Sequence, residues 1–195
     1  MITKGLDFPN VTLVGVIAAD MSLNLDDFKA NERTFSQITQ VTGRAGRGEK
    51  KGRAIIQTYM PENNILHLAA KQDYEAFFDE EIMLRKTLNF PPFCDIVSFL
   101  FTSQNQNYAF EYAKSIEKEL KKEFAKFDDD CVVLSTTPAL ISKINNKYRF
   151  RITLKLHLDN AKRDILRKII NNHYSNNKIK KIIAVSIEIN PTALF

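Results

Sequence analysis

Cysteine is scarce in this chain of 195 residues, and what little there is stands alone. Cys94 and Cys131 are too few for a disulfide framework, and neither has a second sulfur or an imidazole at metal-ligand spacing. A reducing, cytoplasmic setting is therefore expected. Histidine is equally sparse. His67 and His173 fall on helical patterns and His157 on a strand pattern, with no H-x-x-x-H pair or Cys/His cluster, so no metal site is expected. Long apolar runs are missing as well: the longest, Val11 to Ala19, falls short of the roughly 20 residues that cross a bilayer. Met1-Ile2-Thr3-Lys4-Gly5 lacks the charged-then-apolar order of a signal peptide, so neither a membrane partner nor export is expected. The pattern G-x-x-x-x-G-K-[ST] is absent too, and with it a cradle for ATP phosphates and magnesium. Internal repeats and low-complexity tracts are lacking beyond the short Asp128-Asp129-Asp130.

What is present reads as an ordinary globular protein of one or two domains, 44% hydrophobic and 26% charged, long enough to bury a real core. The net charge of +5 is unevenly placed. Residues 1–86 hold 11 Lys/Arg against 12 Asp/Glu, whereas residues 87–195 hold 17 against 11. That asymmetry suggests two units, the second facing something acidic, with nucleic acid as one candidate.

Along the chain, Val11–Ala19 has the near-continuous apolar character of a strand buried on both faces of a parallel sheet. Asn24 or Asn31 could cap a following helix, in which Phe35, Ile38 and Val41 recur at helical spacing, and Gly52–Tyr59 returns as a strand. Strand, crossover helix, strand is a βαβ unit, so residues 1–61 are expected to form part of an α/β domain. Residues 62–89 are helical in pattern, and Asn89-Phe90-Pro91-Pro92-Phe93 stops them, placing a connector at 62–93 and a boundary after it. From Cys94 the predicted order is strand 95–102, helix 108–124, strand 131–135, strand 148–158, helix 161–174 and strand 182–189. This is a βαββαβ, split ferredoxin-like α+β domain over 94–195 with two helices on one face of a four-stranded sheet. Its first helix would bury Ala109, Ala113, Ile116 and Leu120 and expose Glu117 beside Lys121; its second, capped by Asn160, would bury Leu166, Ile169, Ile170 and His173.

Three constellations could carry chemistry. In Gln40-Val41-Thr42-Gly43-Arg44-Ala45-Gly46-Arg47, a continuing helix would place Gln40, Arg44 and Arg47 on one face. Two guanidiniums beside small residues suit a polyanion, although a solvated turn after a helix would look the same. The strand 148–158 alternates: Phe150, Ile152, Leu154, Leu156 and Leu158 take one face, and Arg149, Arg151, Thr153, Lys155 and His157 the other. With Lys143 and Lys147 just before it, this basic surface could track a phosphate backbone or be the wet side of a half-buried strand. Arg163 and Arg167 lie one turn apart on the last helix, a pair that a solvated helix face would also explain. An arginine pair suited to a γ-phosphate, without a P-loop, looks like half of a two-lobed site. The second lobe of such a site contributes arginine fingers worth about three to five orders of magnitude in rate.

The octad Gln40–Arg47 resembles motif VI of superfamily 2 helicases, and Lys4-Gly5-Leu6-Asp7-Phe8-Pro9, followed by the strand 11–19, resembles their motif V. With Asp20, the segment 28–33, the strand 53–59 and Phe90–Phe93, the whole run is similar to the C-terminal part of the bacterial primosomal replication-restart helicases, the primosomal protein N′ (PriA) family. The likeness is strongest over 1–93 and rests on element order and charge beyond that. It implies that 1–61 is part of a RecA-like helicase lobe 2. It also implies a full-length ATP-dependent 3′→5′ DNA helicase that acts at stalled or branched forks and helps assemble the primosome. By position, Arg44 and Arg47 would face the γ-phosphate, with Arg47 as the finger, and Gln40 would help position the nucleotide. Gly5 and Asp7 would lie at the nucleotide cleft. The terminal domain would bind branched or forked DNA, through Lys147, Arg149, Arg151 and Lys155, and partner proteins. Among these is single-stranded DNA-binding protein, whose acidic tail would suit Arg163 and Arg167.

Lobe one with its P-loop, the fork-binding N-terminal domain and the zinc-binding cysteines of the family are all missing from this sequence, and the threonine that opens motif V would fall before Met1. The chain is therefore expected to be a C-terminal fragment, inactive alone as ATPase or helicase. ATP, magnesium and zinc would belong to the full-length protein. The alternative is a non-enzymatic nucleic-acid- or protein-binding module in which the N-terminal remnant serves as scaffold.

Overall fold

The computed structural model of the chain describes residues 11–23, 27–43, 45, 52–127 and 131–191. The backbone divides after Lys86 into two compact units, 1–86 and 87–195, each with its own apolar cluster.

In the first unit, β1 (Leu13–Val16) and β2 (Arg53–Ile56) pair in parallel, with α1 (Ala30–Thr42) between them in sequence. The strand–helix–strand order matches the apolar pattern, but both strands are shorter than it predicts. At the carboxyl end of β1 the backbone turns at Ala18 (φ 52°) into a 3-10 turn, Ala19–Ser22. There the Asp20 carboxylate accepts from the Tyr59 amide (3.1 Å) and so ties the two post-strand loops together. The run 11–19 is not buried on both faces: Leu13 is 58% and Ile17 80% exposed. A sheet of two strands has too few neighbours to cover both faces of either one.

Helix α1 buries Phe35 and Ile38, and Phe35 stacks on Phe77 with ring centres 4.2 Å apart. Neither predicted cap serves it. Lys29 occupies the cap position without a side-chain bond, its amide donating to Asp27 Oδ1 (3.0 Å). Asn31 lies inside the helix and donates to Glu81 (3.0 Å), and Asn24 lies outside the described residues. The helical stretch that follows is two helices, α2 (Asn64–Lys71) and α3 (Tyr74–Thr87), parted by Gln72 in the left-handed region (φ 57°). Arg85 of α3 clips back to α1, donating to Glu81 (2.8 Å) and Glu32 (2.9 Å).

The second unit runs β3 (Asp95–Ser103), α4 (Gln106–Phe124), β4 (Cys131–Val133), β5 (Thr137–Ile144), β6 (Lys147–Leu156), α5 (Asn160–Ser175), α6 (Ile179–Ile182) and β7 (Ile183–Ile189). All its strand pairs are antiparallel. The sheet runs β4-β6-β3-β7, with β5 continuing β4 along the same partner. Counting β4 and β5 as one broken edge strand, this is the predicted βαββαβ order. The pattern did not predict β5, because Pro138 and the mostly exposed residues after it show no alternation. Alternate residues of the central strands, Val97, Phe99 and Phe101 from β3 and Phe150, Ile152, Leu154 and Leu156 from β6, form the core with Ala109, Ala113, Ile116 and Leu120 of α4 and Leu166 and Ile169 of α5. Each fully buried Phe or Leu contributes about 1.5–3 kcal/mol relative to exposure. Asn105 caps α4, and Asp159 rather than Asn160 caps α5, accepting from the Lys162 amide (2.8 Å). Leu158 lies beyond the end of β6, its amide held by Asp95 (3.0 Å).

Candidate nucleic-acid interface

Helices α4 and α5, with Ile179 of α6, pack against the core side of the sheet, and among the described residues of the unit no helix lies on the opposite face. The residues that alternate with the core of β6 point there: Lys147, Arg149, Arg151, Thr153 and Lys155. Across β3 they stand beside small or apolar neighbours, Arg149 opposite Thr102, Arg151 opposite Leu100 and Thr153 opposite Ser98. Beyond these, β7 contributes Ala184, Ser186 and Glu188. From Cys131 to Leu158 the sequence has five cations, Lys143, Lys147, Arg149, Arg151 and Lys155, and no carboxylate at all. A row of alternate cations in a stretch without carboxylates suits a chain of phosphates.

The members of the row are not equivalent. Arg149 is half-buried and its Nη1 donates to the Ile141 carbonyl (3.3 Å). Arg151 is half-buried and Lys147 exposed. Lys155 is half-buried and partnered within the unit: its ammonium donates to the Leu88 carbonyl (2.9 Å) and sits 3.6 Å from the centre of the Phe90 ring. Burial lowers its pKa. It clips the segment before β3 to the sheet. Lys143 pairs with Tyr148, whose parity is that of the core, so it lies on the other face from Arg149 and its ammonium hovers 4.6 Å from the Tyr148 ring centre.

The β5–β6 hairpin that presents these residues turns at Asn145 (φ 49°) and Asn146 (φ 58°). Two successive left-handed residues make the tight turn whose twist matches that of paired strands, and asparagine tolerates it better than other residues with a Cβ. The Asn-Asn pair between Ile144 and Lys147 was the signal in the sequence that could have revealed β5.

A second constellation escapes the sequence pattern. Glu117, expected on the solvent side of α4, is buried at 6% exposure. Its carboxylate accepts from Lys114 (2.9 Å), Lys121 (2.7 Å), and both the amide (2.9 Å) and hydroxyl (2.7 Å) of Thr136. Burial alone would raise its pKa. Lys121, the Thr136 amide, Lys114 and the Thr136 hydroxyl together outweigh that and hold it well below the usual carboxylate range. The periodicity of α4 misplaces it because Thr136, which covers it, comes from a segment whose course the pattern does not show.

The remaining candidates scatter. Arg163 and Arg167 are exposed on α5, and Arg167 donates to Asp164 (2.9 Å) with both side chains more than 70% exposed, a pair of small energetic weight. Gln40 is exposed near the end of α1, its Nε2 donating to the Ser36 hydroxyl (3.1 Å). Gly5, Asp7, Arg44 and Arg47 lie outside the described residues. Both thiols are free, and burial pushes Cys94 up and Cys131 up to about 11. Among the described residues no three His, Cys, Asp or Glu side chains converge. No described helix is long and apolar enough to cross a membrane.

A family model described as the primosomal protein N C-terminal domain matches residues 86–192. Curated relatives named replication restart protein PriA align along nearly the whole chain. The one from Bacillus subtilis (strain 168) is 38% identical over 98% of this chain and 23% of its own length. Those from Rickettsia felis and Chlamydia muridarum are 36% and 32% identical over all of this chain and 28% and 25% of theirs. The chain thus spans about a quarter of the length of these relatives. Among solved structures, a de novo designed protein with a ferredoxin fold covers 50% of this chain and 85% of its own at 16% identity and TM-score 0.37. The designed protein Foldit4 covers 51% and 98% at 17% identity and TM-score 0.36. The ferredoxin-like topology assigned above rests on the observed strand order, not on these low scores.

Proposed function

Because the chain belongs to the primosomal protein N C-terminal domain family, we propose that it is the C-terminal part of an ATP-dependent 3′→5′ DNA helicase of replication restart, and that its second unit binds branched DNA through the outward face of β6. The observation that carries the DNA assignment is the row Lys147, Arg149 and Arg151 on a helix-free sheet face, within a stretch that contains no carboxylate. Guanidiniums in such a row contact phosphates bidentately and carry no base preference, which suits recognition of a DNA shape. On this reading Arg44 and Arg47, with Gln40, form one wall of an ATP site together with Gly5 and Asp7, and Arg47 is the arginine finger. The wall that grips the phosphates lies in another part of the full-length protein, so the chain alone neither hydrolyses ATP nor unwinds DNA. Arg163 and Arg167 are left for an acidic protein segment such as the tail of single-stranded DNA-binding protein.

The test is to titrate fluorescent forked DNA with the chain at two salt concentrations, beside the variant Arg149→Ala/Arg151→Ala. Binding should weaken steeply with salt, and removing the two arginines should flatten the log–log slope by about one for each phosphate that is no longer neutralised. Failure to bind at low salt, or an unchanged slope in the variant, defeats the assignment.

A further inference from the structure

Edge strand β4–β5 does not follow β6 in simple step. Val133 stands opposite Leu154 and Thr137 opposite Arg151, so the edge strand takes four steps where β6 takes three. Leu134 still belongs to the ladder, its amide donating to the Thr153 carbonyl (2.9 Å). The extra residue therefore lies at Ser135–Thr136. Such a bulge leaves a backbone amide without a ladder partner, and a buried amide must be satisfied elsewhere. Here the orphan is the Thr136 amide, and Glu117 of α4 receives it together with the Thr136 hydroxyl.

We propose that Glu117 is a positioning residue for the basic face of β6. By holding the extra residue at Thr136, it sets Thr137 and Pro138 one step out of the simple ladder and so decides which side chain stands beside Arg151. This rests on the reading that the face binds DNA. In the observed register Thr137 stands beside Arg151, and Pro138 pairs with Phe150 on the core side. Without the bulge Thr137 and Pro138 would change face, since a slip of one residue inverts a strand; beyond them β5 shifts register again between Pro138 and Lys143. Pro138 would then stand opposite Arg149 instead of Phe150. Lys114 and Lys121 serve the same end, because the charge they maintain on Glu117 strengthens its bonds to Thr136.

The experiment compares the chain with Glu117→Ala and Glu117→Gln, reading amide hydrogen exchange over 137–144 and the salt dependence of forked-DNA binding. Glu117→Ala should speed exchange in 137–144 by about tenfold or more while β3 and β7 keep their protection, and should lower the salt slope by about one. Glu117→Gln retains an acceptor oxygen for Thr136 and should restore part of both. Where Glu117→Ala does not fold, Thr136→Val removes the hydroxyl bond alone and reads the same two quantities. Unchanged exchange over 137–144 overturns the register role, and faster exchange with an unchanged salt slope overturns the positioning of the DNA face. If the unaltered chain fails to bind forked DNA, the DNA reading itself falls, and the positioning of a DNA face falls with it even where the exchange result stands.

Discussion

His173 shows how one side chain joins two helices at a cost in acid. It is buried at 4% exposure, its Nδ1 lies 2.8 Å from the Tyr112 hydroxyl, and the Tyr112 and Tyr174 rings pack against it. Among the described residues its Nε2 is buried with no hydrogen-bond partner, so the charge of a protonated ring would be poorly solvated. Burial accordingly lowers its pKa. The unfolded chain then binds the proton more readily than the folded one. The contribution of this site is complete above the unfolded histidine value of about 6.5 and is lost as pH falls below it and through the lowered folded value. In His173→Phe, urea unfolding measured between pH 7.5 and 5 should show a shallower loss of stability than in the unaltered chain. An identical pH dependence in the two would mean that the ring is not the group responsible.

Among the elements, the β5–β6 hairpin is the most demanding of its sequence, since both turn residues hold positive φ. A β-branched side chain there meets the left-handed penalty of about 1–2 kcal/mol. Asn146→Val should lower the unfolding free energy obtained from urea titration by about 1–2 kcal/mol, whereas Asn146→Gly should leave it unchanged or raise it. The contrast with β1 and β2 is instructive. Those strands have good apolar composition but lack neighbours, and Leu13, Ile17 and Ile55 remain exposed. A strand's own residues set its propensity, while the number of strands beside it sets its burial.

For the whole molecule, the cluster that stabilises the second unit is drawn from residues 97–187 alone. Residues 87–195 expressed by themselves should therefore unfold in a single cooperative urea transition and retain forked-DNA binding with the salt dependence of the full chain. Loss of cooperative unfolding in that piece would show that its core depends on the first unit. Much of this unit was legible in the sequence because its central strands alternate with period two and its helices repeat every three to four residues, patterns set by local geometry. The core of β6, the faces of α4 and α5 and the outward placement of Arg149 and Arg151 all follow from that.

Local periodicity thus assigns which residues face the core within each regular element, and composition alone shows where positive charge collects. Only the tertiary structure decided the fate of groups whose partners come from elsewhere in the chain. Lys155 shares the parity of Arg149 yet is occupied by Leu88 and Phe90. Glu117 shares the spacing of a surface ion pair yet is buried under Thr136. In both cases the deciding contact depends on an irregular segment, and periodicity carries no information about where such a segment passes.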